Sequence, residues 1–185
     1  MAHQSLRGRL LAATPDLLDP NFFHTVVFVL EHDERGALGL ILNRPSNIPL
    51  AETFPEWTQT VSEPSTIFRG GPVQRDALIG LARLDPPVTP EGWSPIIDSV
   101  GVLSLQDSAD SDDLTVTAFR LYSGYAGWGG GQLESEINGG GWFTLPSEAP
   151  DLFAREPANL WFQLLNRHQG AWPWQTRPPA DPAQN

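Results

Sequence analysis

Residues Phe23–His32 read FHTVVFVLEH, and after Asp33-Glu34-Arg35-Gly36 the chain returns as ALGLILN, Ala37–Asn43. The first run is rich in β-branched and aromatic residues and is apolar at consecutive positions from Val26 to Leu30, so a strand there is central and covered on both faces. The polar, glycine-ended connection is hairpin chemistry. Gly39 inside the return strand signals close approach of another backbone or side chain. A hairpin this early, followed by more strands in adjacent runs, argues against βαβ alternation. It points to an α+β fold with a mixed, mainly antiparallel sheet.

The other strands are expected at Leu6–Ala13, Thr66–Arg69, Ala77–Leu84, Ser99–Leu105, Leu114–Tyr122 and Trp142–Leu145. Arg44-Pro45 ends the second hairpin strand, because proline removes a ladder donor. A short helix is predicted over Ser46–Trp57, with Leu50, Phe54 and Trp57 on one stripe. Further helices are predicted over Gln132–Asn138, Ser147–Ala154 and Pro157–His168, the last with Leu160, Trp161, Leu164 and Leu165 as its apolar face and Gly170 as its stop. Pro86–Pro95 reads as a proline-rich loop and Gln106–Asp113 as an acidic one. A length of 185 residues suits one domain over residues 1–172, or one with a small subdomain, followed by a Pro-rich, largely disordered tail over 173–185.

Composition removes several functions. There is no cysteine, which excludes disulfides, thiol nucleophiles and Cys-ligated metals. There is no lysine either: all 11 basic residues are arginine, so Schiff-base chemistry and a P-loop lysine are absent. The net charge of -11 opposes direct binding to a phosphate backbone. No window is long and apolar enough to span a bilayer, and the only apolar run near the N-terminus, Leu10–Ala13, is too short for a signal peptide. The expected setting is the cytoplasm, away from membranes.

The stretch GYAGWGGGQLESEI, Gly124–Ile137, follows a strand and opens a helix, which is the context of a phosphate cradle. Its spacing does not match the dinucleotide fingerprint, and the P-loop lysine is missing. Glu134, near the helix start, would compete for the partial positive charge there. A tight turn in which Tyr125, Trp128 and Leu133 anchor the helix on the sheet is the favoured reading.

Taken in order, DPNFFHTVVFVLEH, GALGLILNRP, RGGPV and GYAGWGGGQLESEI resemble blocks of the AlgH/YqgE family, from about Gly8 to Leu165. The resemblance implies an α+β fold whose bifurcated, strongly bent sheet closes into a pseudo-barrel flanked by short helices. It implies no established enzymatic activity. A transcriptional-regulator label belongs to one member through its role in alginate synthesis, and the acidity of this chain opposes direct DNA binding. One departure is Gly130, where the family usually has proline.

Glu31, His32 and Asp33 are adjacent, but Glu31 and His32 point to opposite faces of a strand. His24 and His32 would lie about 26 Å apart in a regular strand, too far to share a metal. No metal and no cofactor is expected. No G-x-S-x-G motif is present, and Glu134 and Glu136 diverge on their helix. Trp142 and Trp161 read as core; Trp172 and Trp174 as a staple of the tail. Asn43-Arg44-Pro45 and Arg69-Gly70-Gly71-Pro72 each end a strand with an arginine and a proline turn. Two such arginines could clamp an anion, or each could pair with a carboxylate. The candidate ligand-binding residues are therefore Asn43, Arg44, Arg69, Gly70, Gly71, Tyr125, Trp128 and Gln132. The expected function is a non-enzymatic module binding a small anionic ligand or a protein partner, with a possible regulatory role. The alternative is an enzyme with an anion pocket between the three loops that carry these residues.

Overall fold

A computed structural model describes residues 4–55, 61–85, 91–105 and 116–168. Ten strands are assigned in chain order: β1 Leu10–Ala13, β2 Val26–Asp33, β3 Gly36–Ile41, β4 Pro45–Pro49, β5 Thr66–Arg69, β6 Val73–Leu84, β7 Trp93–Ile97, β8 Val100–Leu103, β9 Val116–Gly129 and β10 Trp142–Leu145. Four short helices accompany them: α1 Leu50–Thr53, α2 Gln132–Asn138, α3 Ala149–Leu152 and α4 Pro157–Arg167. The fold is α+β, with a curled and mainly antiparallel sheet.

The expected hairpin is present. Asp33 pairs with Gly36, and β2 lies between β1 and β3 with Val26–Val29 wholly buried. Gly39 has the close neighbour its place in a strand implied: a Cβ there would lie 2.6 Å from Val27 Cγ1 and 2.8 Å from the Phe28 carbonyl oxygen.

The strand β9 organises the rest. Its first part pairs antiparallel with β6, and at Tyr122 and Ser123 it also pairs parallel with β5. Its last part, Ala126–Gly129, pairs with β3. One strand thus belongs to both branches of a forked sheet. Apolar side chains fill three regions. Phe28, Leu40, Phe68, Leu81 and Tyr122 meet under α3 and α4; Val27, Ile41, Trp128 and Trp142 meet under α2; Leu50, Leu103 and Phe119 form the third. Trp161 ties α4 to β1 by donating its indole N–H to the Ala13 carbonyl at 2.7 Å, and Trp142 and Trp161 are both core.

Three sequence expectations change. Residues 45–49 form the edge strand β4 instead of helix, and only Leu50–Thr53 is helical. Pairing with β5 satisfies this segment, and an edge tolerates its prolines. The second half of the predicted 86–95 loop contains the start of β7, paired with β8. The glycine stretch is not a turn up to Gly129. It continues β9, and the turn is confined to Gly130 and Gly131. The glycines of and around β9 permit backbone contact: a Cβ on Gly71 would lie 2.1 Å from the Tyr125 carbonyl oxygen, and one on Gly130 would lie 2.6 Å from that of Glu34. Trp57, the acidic loop at 106–113, Gly170, Trp172, Trp174 and the tail lie outside the described residues.

Candidate functional site

Two strand ends and the middle of a third strand meet on one side of the fork. The Ile41 N–H donates to the Gly70 carbonyl at 2.8 Å, and the Gly70 N–H donates to Ser123 at 2.9 Å. The Arg69 N–H donates to the Arg44 carbonyl at 2.8 Å. These bonds bring the ends of β3, β5 and the middle of β9 to the rim of one cavity of about 550 Å³. Asn21, Ile41, Arg44, Arg69, Gly71, Pro72, Arg75 and Ser123 line it.

Arg75 arrives there through a large irregularity in β6. Val73 pairs with Tyr125 and Leu78 with Ser123, so residues 74–77 stand opposite the single residue Gly124. Bulges of this kind re-aim side chains, and Gln74 takes a left-handed conformation with φ of 43° to turn the chain. The Ser123 hydroxyl donates to the Arg75 carbonyl, which commits its only proton.

Arg44 is fixed by backbone. One terminal nitrogen donates to Asn21 O at 2.7 Å and the other to Pro20 O and Phe23 O at 3.3 Å each. Burial lowers its pKa from the usual arginine value, and the nearby positive charge of Arg69 lowers it further, against the pull of Asp19. Among the described residues, no carboxylate lies within ion-pair distance of Arg44, Arg69 or Arg75. The lining contains no Asp, Glu or His. Three arginines thus line one cavity in a chain of net charge -11.

Of the sequence-predicted site residues, Arg44, Arg69 and Gly71 line this cavity and Gly70 laces its wall. The others sit elsewhere. The Asn43 side chain accepts from the Val26 N–H at 2.9 Å and donates to the His24 carbonyl at 2.8 Å, bridging two chain segments. Tyr125 packs on the core beneath α3 and α4. Trp128 is 5 % exposed and borders a separate, shallower cavity beside Glu31, Asp33 and Arg35. The Gln132 side-chain Oε1 accepts from the Gly129 N–H at 3.0 Å, closing the turn before α2. Asn21, Arg75 and Ser123 were not among the predicted site residues. The sequence signal for Arg75 is its place six residues after Arg69 in RGGPVQR; its role depends on a pairing irregularity that sequence does not display.

The histidines serve other ends. His32 is buried while Glu31 and Asp33 are exposed, so the three do not converge. His32 Nδ1 accepts from the Leu6 N–H at 2.9 Å, and its Nε2 meets Glu134 at 2.7 Å, which spends Glu134 on the α2 anchor. His24 is stacked between Phe23 and Trp161, with ring centroids 3.7 and 3.9 Å away. Among the described residues, no group of three or more His, Asp or Glu side chains is placed to hold a metal ion. No described helix is long and apolar enough to cross a membrane.

The AlgH-like family model matches residues 10–173. The chain belongs to the AlgH-like family. A UPF0301 protein of Streptomyces coelicolor is 39% identical, with 98% of this chain and 96% of that protein aligned. A UPF0301 protein of Mycobacterium tuberculosis is 40% identical over 86% of this chain and 81% of its own length. The crystal structure of a Corynebacterium diphtheriae protein shares the fold with a TM-score of 0.82 and 24% identity, covering 96% of this chain and 91% of the other. The solution structure of the AlgH protein from Pseudomonas aeruginosa gives a TM-score of 0.67 at 28% identity, over 96% of this chain and all 100% of that one. The arginine cavity thus sits on an AlgH-like scaffold, at the strand where its sheet forks.

Proposed function

We propose that this AlgH-like protein is a cytoplasmic binding module for a small anionic ligand, held between the ends of β3, β5 and the bulge of β6. The observation that carries the reading is the gathering of Arg44, Arg69 and Arg75 around one cavity with no lining carboxylate. Holding like charges together without a counter-charge costs free energy, and an anion offsets that cost. The volume lies within the range of small-molecule pockets. Recognition groups are present, while a general base is not: the lining has no histidine or carboxylate, and the Ser123 proton is already committed. This favours binding over catalysis. A regulatory role would follow from ligand-dependent exposure of a partner surface.

The test is a thermal-shift screen against nucleotides, phosphates and acidic metabolites. At least one anion should raise the melting temperature of the wild-type protein, and Arg69→Ala and Arg75→Ala should each weaken its binding about tenfold or more, the scale of a hydrogen bond to a charged group. If no anion stabilises the protein, or if hits are indifferent to both substitutions, the reading fails.

A further inference from the structure

Resting on the anion-pocket reading, we infer that the ligand is a phosphate monoester of a small organic body, recognised as its dianion. The argument begins with counting. A carboxylate offers two oxygens and one negative charge, which a single guanidinium fork satisfies. A terminal phosphoryl group offers three acceptor oxygens and close to two negative charges at neutral pH. Both terminal nitrogens of Arg44 are spent on backbone carbonyls, which leaves Arg69 and Arg75 as two uncommitted forks in the lining, and two forks with two positive charges match the phosphoryl group and exceed what one carboxylate takes up.

Preorganisation supports the same assignment. Arg44 is anchored by the Asn21, Pro20 and Phe23 carbonyls. Arg69 and Arg75 are exposed and have no ion-pair partner among the described residues, so they are free to close on a ligand from two sides. Arg69 stands at the end of a strand and Arg75 on a bulge, and both backbones are tied to Ser123: Arg69 by strand register, Arg75 by its carbonyl. The cavity of about 550 Å³ is far larger than one phosphoryl group needs. Pro72 in its lining offers apolar contact to an organic body. A nucleoside monophosphate and a sugar phosphate share this chemistry. The base of the former would stack on an apolar wall, whereas the latter would use its hydroxyls.

Isothermal titration of the full chain with adenosine monophosphate, glucose 6-phosphate, inorganic phosphate and citrate separates the possibilities. One of the two esters should bind at least tenfold more tightly than inorganic phosphate and citrate, and which of them binds identifies the organic body. Arg69→Ala and Arg75→Ala should each weaken that ester about tenfold or more, while Arg155→Ala, at an exposed arginine outside the lining, should leave it unchanged. Arg69 and Arg75 make no side-chain bond to described residues, so both variants should fold, and unchanged circular dichroism checks this. Affinity should fall as pH drops from 8 to 5, because the ester's second pKa is about 6 and it loses one charge on the way. Tighter binding of citrate than of either ester, through the same arginines, would overturn the phosphoryl assignment and leave the anion pocket standing. Absence of binding by all four probes would overturn both. Ester binding that ignores both alanine substitutions would also overturn the assignment.

Discussion

Glu136 Oε2 accepts the indole N–H of Trp128 at 2.9 Å, and the same oxygen accepts that of Trp142 at 2.9 Å. One carboxylate on α2 therefore satisfies two nearly buried donors, one from β9 and one from β10. Its other oxygen accepts from Gln132 at 3.0 Å. The turn at Gly130 and Gly131 allows α2 to fold back far enough for this. A Cβ on Gly36, across from it, would meet the Trp128 carbonyl oxygen at 2.1 Å, so the packing here is backbone to backbone.

Glu136→Ala should cost about 2–6 kcal/mol in urea unfolding, since it unpairs two nearly buried donors at about 1–3 kcal/mol each. Glu136→Gln keeps an acceptor and should cost less than half as much. Equal losses for the two variants would show that charge, and not the hydrogen bonds, secures α2.

Arg120 is fully buried, with its guanidinium 4.3 Å from the centre of the Phe68 ring. It donates to the Glu63 and Ala154 carbonyls at 2.8 and 3.0 Å, and its pKa is lowered by burial. Arg120→Ala should destabilise by about 3–5 kcal/mol, as for deletion of other large core side chains. Arg120→Met refills most of the volume without a buried charge and should recover at least half of that loss. Chemical denaturation of both variants decides whether volume or charge dominates.

Tyr122 gives a pH signature at the alkaline end. Burial pushes its phenol up to about 12, against the opposing pull of the Arg120 charge. The unfolded chain releases this proton near pH 10, so between about pH 10 and 12 the native state holds more protons and stability falls as pH rises. The full contribution, roughly 2–3 kcal/mol, is present below pH 10. Denaturant titrations across this window should show the fall in the wild-type protein and a shallower one in Tyr122→Phe.

His24 gives the acid-side counterpart. Burial between Phe23 and Trp161 lowers its pKa below the ordinary 6.5. The unfolded chain then binds the proton first, so the stabilisation is complete above pH 6.5 and declines as pH falls below it. His24 has φ of 54°, a conformation that asparagine tolerates. The melting temperature of His24→Asn should therefore depend less on pH between 7.5 and 5 than that of the wild type.

Much of this fold was legible where local pattern and pairing agree. The run from Val26 to Leu30 is apolar on both faces because β1 and β3 flank it and the core lies on either side. The pattern misled where tertiary pairing overrode it. Leu50 and Phe54 do share a core region, but residues 45–49 are claimed by β5. Glycine punctuation misled in the same way. Gly124 to Gly129 read as a turn, yet they continue a strand whose neighbours press against its backbone. At the site, the strand-end arginines Arg44 and Arg69 were visible from their proline turns. Arg75 was not, because nothing local marks a bulge defined by its partner.

The forked strand β9 also sets a schedule. It begins at residue 116, after every strand that it joins. A chain emerging from the ribosome makes its N-terminal part first. The β2–β3 hairpin and the β6–β8 pair can close as they appear, but each then presents an open edge with no neighbour until β9 is synthesised. For that interval the growing chain is two sticky half-sheets, and the species most in need of protection from aggregation is the nascent polypeptide that stops short of residue 116.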